Sequence, residues 1–263
     1  MDELLTNQFD RLITGLCPLD AARRIEAGER QFDWDPLEAS GFLDLLLPAE
    51  SGGAALDLAD CAPLAIILGR KAVPAPVLET MVARAEQVRA GRVPDAGPIR
   101  LSELGSEPRL RRLGALCVAG QMAGAMAAIR DLTLSYAKER SQFGRPISAF
   151  QAVQQQIAVL AEEAAVAEAA VALAFSQPLA SVTDEVVAVA KITAGEAAAT
   201  VAAIAHAVHG AIGVSGEHAL HLFTGRLHAW RLEYGSAAYW SGRLGAAFLG
   251  RALSPLDFAR SLF

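Results

Sequence analysis

The chain has 263 residues, 53% of them hydrophobic, and a formal net charge of −6. That apolar share can bury one large core or two modest ones and excludes an intrinsically disordered chain. An acidic balance without clustered Lys and Arg argues against nucleic-acid binding, because a phosphate backbone is held by cationic patches. Cys17, Cys61 and Cys117 stand far apart, odd in number and without metal-ligand spacing, so a reducing cytoplasm is the expected location. The N-terminal MDELLTNQFDRL is acidic and amphipathic, unlike a secretory signal. The apolar runs are interspersed with Glu, Gln, Arg and His, so no membrane span is expected.

Helical signals dominate from the start. LLTNQFDRLI spaces its apolar residues by three and four. DWDPLEASGFLDLL sets Asp35 before Pro36, an N-cap and first-turn pair, and is interrupted at Gly41. LPAESGG (47–53) predicts a loop, LADCAPLAIILGRKA a helix, and AVPAP (72–76) a break. From about 90 to 108 the Gly- and Pro-rich GRVPDAGPIRLSELGSEP predicts at most one short strand and a domain boundary. A long helix follows from Leu113 to Arg140, with Gly120 and Gly124 on one face for close approach of another helix. A second runs from about Phe150 to Ala174 and a third from about Thr183 to His209. After the loop GAIGVSGEH, a last pair covers about 217–232 and 236–251. No internal repeat is present. The expected fold is mainly α: an N-terminal helical domain over 1–83, a linker over 84–112, and a four-to-five-helix bundle over 113–263.

The stretch YAKERSQFGRPISAFQAVQQQIA, 136–158, carries the chemistry. A helix that ends on Lys-Glu-Arg, crosses a Gly and a Pro and restarts in a glutamine-dense run is built to hold a ligand or a partner. R-x-Q-F-G-R-P-I followed by F-Q-A-V-Q resembles the C-terminal helical domain of acyl-CoA dehydrogenases. WDPLEASGFLDLLLPAESGG (34–53) is similar to that family's N-terminal helical domain, LGRKAVPAP to its GR…PxP segment, and HGAIGVSGEHALHLF to its G-G-x-G loop and the helix after it. The four motifs fall in family order and span nearly the whole chain.

The resemblance implies a family fold from which the middle β-domain is deleted, since only 84–112 separates the helical parts. The family removes an α-proton with a carboxylate while a hydride leaves the β-carbon for flavin. Its usual base is a Glu in a Y-E-G-T stretch. Here the stretch reads Leu232-Glu233-Tyr234-Gly235-Ser236, with Tyr234 at the base position and Glu233 the neighbouring candidate. A tyrosine, with an ordinary pKa of about 10, is a poor base at neutral pH. A one-residue shift on a helix would turn Glu233 roughly 100° away. The family's second base position, near the start of the first long helix, reads Arg111-Arg112-Leu113, and its glutamine before the Gly-rich loop is Ala207.

What the resemblance leaves is the half-site that full-length dimers lend across their interface. Arg140 and Gln151 match residues that reach the pyrophosphate and adenine end of the partner's FAD, with Phe143 packing nearby. Gly210 and Gly213 allow close approach of backbone to nucleotide, and Ser236 stands for a family Thr. The implied protein is a FAD-site-lending, non-catalytic subunit of a heteromeric acyl-CoA dehydrogenase, such as those of bacterial steroid catabolism. Its partner would be a full-length acyl-CoA dehydrogenase subunit that binds most of the acyl-CoA, with an electron-transfer flavoprotein as acceptor. Two alternatives stand beside it. One is a degenerate structural paralogue without cofactor. The other is a metal-binding bundle built from His206, His209, His218, His221 and His228 with Glu162, Glu163 and Glu168, although no Glu-x-x-His pair is present.

Overall fold

Twelve α-helices make up most of the computed structural model, which describes residues 3–216 and 218–262. Met1, Asp2, Phe263 and Glu217, the expected start of the penultimate helix, lie outside the described residues. The only strands among them are β1 (Ser141–Gln142) and β2 (Arg145–Pro146), a minimal antiparallel hairpin. The mainly α fold without a middle β-domain is therefore as expected.

Local chemistry sets the helix ends. α1 (Glu3–Leu16) buries Phe9 and Ile13, four apart on one face. α2 (Leu19–Glu26) and the short α3 (Asp35–Ala39) lead to α4 (Leu58–Arg70), which opens on a capping box between Asp57 and Asp60. Ala72 (φ +48°) and Pro74 stop α4, and α5 (Val77–Arg89) starts directly after Pro76. α5 therefore runs six residues past position 83, the expected end of the N-terminal helices. The segment 90–107, for which at most one short strand was expected, contains no strand among its residues and one turn of helix, α6 (Leu101–Leu104).

α7 (Pro108–Glu139) begins five residues before Leu113 because Pro108 fits the first helical position. α8 (Gln151–Phe175) and α9 (Asp184–His209) agree with expectation to a residue or so, and Thr183 caps α9 by accepting from the Val186 amide. α10 (Leu220–Trp230) and α11 (Ala237–Leu249) form the last pair, and a further helix, α12 (Pro255–Arg260), was not foreseen.

α7, α8 and α9 pack against one another, α10 and α11 cover α9, and α4 lies across α7. A large connected core runs from Phe9 through α7 to Trp240, and a small second cluster gathers Ala137, Ile147 and Ile157 at the α7–α8 corner. α7 is surrounded on all sides, which explains why Leu113–Ile129 contains no charged residue, against the expectation of interspersed charges. By length and composition α7 and the stretch Asp184–Val214 could each cross a membrane, but 94% of the apolar window of α7 is buried inside the fold.

The α4–α7 crossing brings backbone against backbone. A Cβ on Gly124 would lie 2.1 Å from the Ile66 carbonyl oxygen, and one on Gly69 would lie 2.0 Å from that of Gln121. Gly120 meets the Ala65 methyl on the same face, so the expected use of Gly120 and Gly124 is met, with α4 as the partner helix. Gly124→Ala sets a helix-propensity gain of about 1 kcal/mol against overpacking of a rigid backbone, which costs about 1–3 kcal/mol or more. The steric term wins because a carbonyl oxygen at this distance cannot rotate away. Chemical denaturation of Gly124→Ala should show a net loss of stability.

Candidate functional site

The residues singled out in the sequence fall into two groups at opposite ends of α7. The first surrounds its C-terminus. Arg140 follows the last helical residue, its amide donating to the Tyr136 carbonyl at 2.8 Å and its own carbonyl accepting from Ile147. Its side chain is exposed and has no hydrogen bond or ion pair among the described residues. The hairpin register pairs Ser141 with Pro146 and Gln142 with Arg145, leaving Phe143 and Gly144 as a two-residue loop. Both have positive φ, +50° and +78°, as a type I′ turn requires. Glycine adopts this at no cost; phenylalanine does so under strain.

Phe143 is 91% exposed, its ring 6.1 Å from that of Phe150. Arg145 lays its guanidinium over the Phe150 ring at 4.2 Å, a cation–π contact. Gln151, the first residue of α8, is exposed, as are Gln154, Gln155 and Gln156. Gly210 belongs at this end too, because Tyr136, in the last turns of α7, stacks on His209 at 4.5 Å and donates its hydroxyl to the His209 carbonyl. Gly210 holds φ +62° and ψ −143°, open to a glycine only, and a Cβ there would meet nothing.

Gly213 serves packing instead. It is buried, and a Cβ would come within 2.9 Å of the His209 Cβ and 3.0 Å of Leu220, so it is not available for close approach by a ligand.

The second group surrounds the N-terminus of α7. Residues 231–234 form a turn between α10 and α11, not helix, so the relation of Glu233 to Tyr234 is set by the left-handed conformation of Tyr234, φ +56°. The Tyr234 ring lies against Gly114, where a Cβ would be 2.5 Å from it. Its hydroxyl donates to the Glu79 carboxylate and accepts from the Ser102 amide at 3.3 Å. Burial and the neighbouring Glu79 push the Tyr234 pKa far up, so it is no base. Glu233 is half-buried. Ser236 caps α11, accepting from the Tyr239 amide at 3.3 Å. From Gly114 to Arg140 is 26 residues of chain, which is roughly 40 Å along a helix. Ser236 therefore does not join Arg140, Phe143, Gln151 and Gly210 in one site within the chain.

Glu79 is the residue that sequence reasoning missed. It sits on α5, is 6% exposed, and accepts from the Leu101 amide at 3.0 Å as well as from Tyr234, with Arg100 at 3.8 Å. Burial raises its carboxyl pKa, and Tyr234, Leu101 and Arg100 pull it partly back. The available signal was VLETMVARAEQVR itself: Glu, Thr, Arg and Gln on every face of a helix set between a P-x-P and a Gly/Pro-rich segment. Behind the turn, the fully buried Lys191 donates to the Trp230 carbonyl at the end of α10, and desolvation lowers its pKa to about 8.

Four of the five histidines are bonded within the fold, and His228 is exposed. His206 pairs with Thr224 at 3.0 Å, His209 with the Ala205 carbonyl at 2.8 Å, and His221 with the His218 carbonyl at 2.6 Å. Among the described residues no three His, Cys, Asp or Glu gather as a metal site would require.

Known proteins of the same build now give the class. Residues 112–243 match the family model described as acyl-CoA dehydrogenase, C-terminal domain. Acyl-CoA dehydrogenase IpdE2 of Mycobacterium tuberculosis is 31% identical, over 79% of this chain and 85% of that protein. The fold superposes on a chain of the ChsE4–ChsE5 complex from Mycobacterium tuberculosis with a TM-score of 0.83 at 18% identity, covering 96% of this chain and 99% of that one. On a chain of the Tcur3481–Tcur3483 steroid ACAD the TM-score is 0.80 at 21% identity, covering 95% and 98%. The chain belongs to the acyl-CoA dehydrogenase family, in a short form without the middle β-domain. That family is one of oxidoreductases whose members generally use FAD.

The raised pKa of Glu79 fixes the sign of a pH effect. The folded carboxyl holds its proton more tightly than the unfolded one, so its contribution is present at acid pH and lost as pH rises through the raised pKa. Glu79→Gln removes that loss. Denaturant titrations should find the variant more favourable relative to the natural chain at pH 8 than at pH 5. The opposite trend would mean that Tyr234, Leu101 and Arg100 outweigh burial.

Proposed function

We propose that this chain is the site-lending, non-catalytic subunit of a heteromeric acyl-CoA dehydrogenase. In this reading the corner between α7 and α8 contacts the adenosine-diphosphate half of a FAD whose flavin ring, acyl-CoA and catalytic base belong to a full-length partner chain. The observation that carries it is the outward set Arg140, Phe143 and Gln151. It stands on a hairpin that strains Phe143 into the left-handed region, and the Arg140 side chain has no partner among the described residues. Side chains held in place but used by nothing in their own chain suit a second molecule.

The residues fit the group. A planar guanidinium matches phosphate oxygens and forms charge-assisted hydrogen bonds with them. The Gln151 amide adds neutral donors and acceptors, and the bare Gly210 backbone allows a nucleotide to approach. When bound, the flavin supplies the hydride acceptor of the family reaction. The residues of this chain bind and orient its far end. The state of two of the three candidate groups supports the non-catalytic assignment: Tyr234 is held protonated, and Glu79 is spent on Tyr234 and the Leu101 amide. A fold shared with chains of the two-component ChsE4–ChsE5 and Tcur3481–Tcur3483 structures supports a heteromeric partner.

Arg140→Ala tests the reading in the complex with its partner. Losing one charge-assisted contact, about 1.5–3 kcal/mol, should weaken FAD binding by about 10–100-fold while the complex stays assembled. Flavin absorbance against protein by size-exclusion chromatography reads both quantities. Unchanged flavin content would support the structural-paralogue alternative instead.

A further inference from the structure

The segment that replaces the middle domain carries a regularity of its own. Between α5 and α7 the chain passes Pro94 to Arg100 in irregular backbone, mostly exposed with only Ile99 buried, and then enters α6 at the buried Leu101. Its amides at 95, 97, 99 and 101 donate to side chains of other elements, while the Arg100 amide between them turns to Glu103 of the segment's own helical end at 3.2 Å. Asp95 donates to the Gln87 Oε1 at 3.0 Å, Gly97 to the Glu38 Oε1 at 2.7 Å, Ile99 to the Thr80 Oγ1 at 2.9 Å, and Leu101 to the Glu79 Oε2 at 3.0 Å. Gln87 returns a bond to the Asp95 carboxylate at 2.6 Å. Ser102 extends the row to the Tyr234 hydroxyl.

A period of two is that of a β-strand at a ladder. Here the ladder partner is not a strand. Three of the four acceptors, Gln87, Thr80 and Glu79, project from α5 and descend it as the segment advances, so the two run antiparallel. The fourth, Glu38, is held in line by Arg84 of the same helix at 2.5 Å. This explains why α5 buries Glu79, Thr80, Arg84 and Gln87, polar residues that a core helix ordinarily excludes, while the buried Glu86 is held instead by Arg89 and Arg109. Each buried acceptor named in the row has a backbone N–H, as burial demands.

We infer that residues 95–102 are a fixed strap, tied to α5 as a strand is tied to a sheet, that permanently fills this chain's own cleft between α5, α7 and the 231–236 turn. The strap ends on Glu79 and Tyr234, and Tyr234 occupies the position of the family's base. A gate would have side chains that part from solvent-satisfied backbone. This strap has amides whose acceptors lie buried, and opening it would cost Thr80 and Glu79 the Ile99 and Leu101 amides, leaving Thr80 only the Pro76 carbonyl and Glu79 the Tyr234 hydroxyl. The chain therefore has no ligand-facing end at Tyr234. This inference concerns the opposite end of α7 from the flavin-lending reading and does not depend on it.

Amide-resolved hydrogen exchange on the full chain, alone or with its partner, tests it. The amides of Asp95, Gly97, Ile99 and Leu101 should be protected at least about a hundredfold over that of Ala96. Thr80→Val, which keeps shape but removes the Ile99 acceptor, should drop protection along 95–102 together. Should that variant fail to fold, Gln87→Ala at the exposed end should loosen Asp95 alone. Adding butyryl-CoA to the chain without its partner should leave the pattern unchanged. Uniformly fast exchange over 95–102 would make the segment a mobile gate and overturn the inference. Protection or release of these amides by the thioester would overturn it equally.

Discussion

Where α4 crosses α7, backbone meets backbone, and much of the molecule's arrangement depends on that contact. Gly69 and Gly124 leave no side chains between the helices, so the axes approach more closely than ordinary ridges and grooves allow. The crossing seats the N-terminal helices on the bundle in one register. α5 follows α4 after a break fixed by Pro74 and Pro76, so its course is set as well, along α6 and the first half of α7. That course delivers Glu79 to Tyr234, more than 150 residues away in sequence. A bulkier residue at the crossing would displace the carboxylate as surely as a change at position 79.

The two ends of α7 then differ in a physically consistent way. At the N-terminal end a buried carboxylate, a phenol and two amides satisfy one another, as polar groups out of water must. Tyr234 in the left-handed region is strained, but its ring is packed on Gly114 and its hydroxyl is bonded twice, so the surroundings over-determine it. At the C-terminal end Phe143 carries similar strain with little to offset it in the chain. Its ring is almost fully in solvent, and the neighbouring Arg140 guanidinium lacks a partner among the described residues. The first end is finished by the fold itself, while the second is arranged but not used.

What was legible in the sequence divides along the same line. Long helices with local stop signals could be placed to within a few residues, because propensity, caps and Gly/Pro breaks act over short distances. Gly120 and Gly124 were readable as a contact face because a helix repeats its faces every three to four residues. The Arg140–Gln151 corner was readable because it lies in one continuous stretch. The Glu79–Tyr234 pair was not, because nothing local in either residue points to the other. The strap was hidden for a related reason. Its ladder partners are side chains of a helix, so it lacks the alternation of apolar and polar residues that marks a strand. Gly213 looked like Gly210 in sequence, yet one faces His209 and Leu220 and the other faces open space. Only tertiary packing separates them.

Beside the N-terminal end of α7, Gly114 leaves the space a Cβ would fill, and the Tyr234 ring takes it. The identity of the residue at 234 matters electrostatically. A carboxylate left at position 234 beside Glu79 would put two negative charges in one buried space, which neither Arg100 at 3.8 Å nor the Leu101 amide could balance. A tyrosine there donates a hydrogen bond to the carboxylate instead of repelling it. Once the middle domain is absent and α5 must tie down its own linker through Glu79, the residue at 234 is better a donor than an acid. The Tyr234–Glu79 bond and the strap are thus one electrostatic arrangement, whereas the exposed Arg140 side chain at the other end of α7 has no such partner among the described residues.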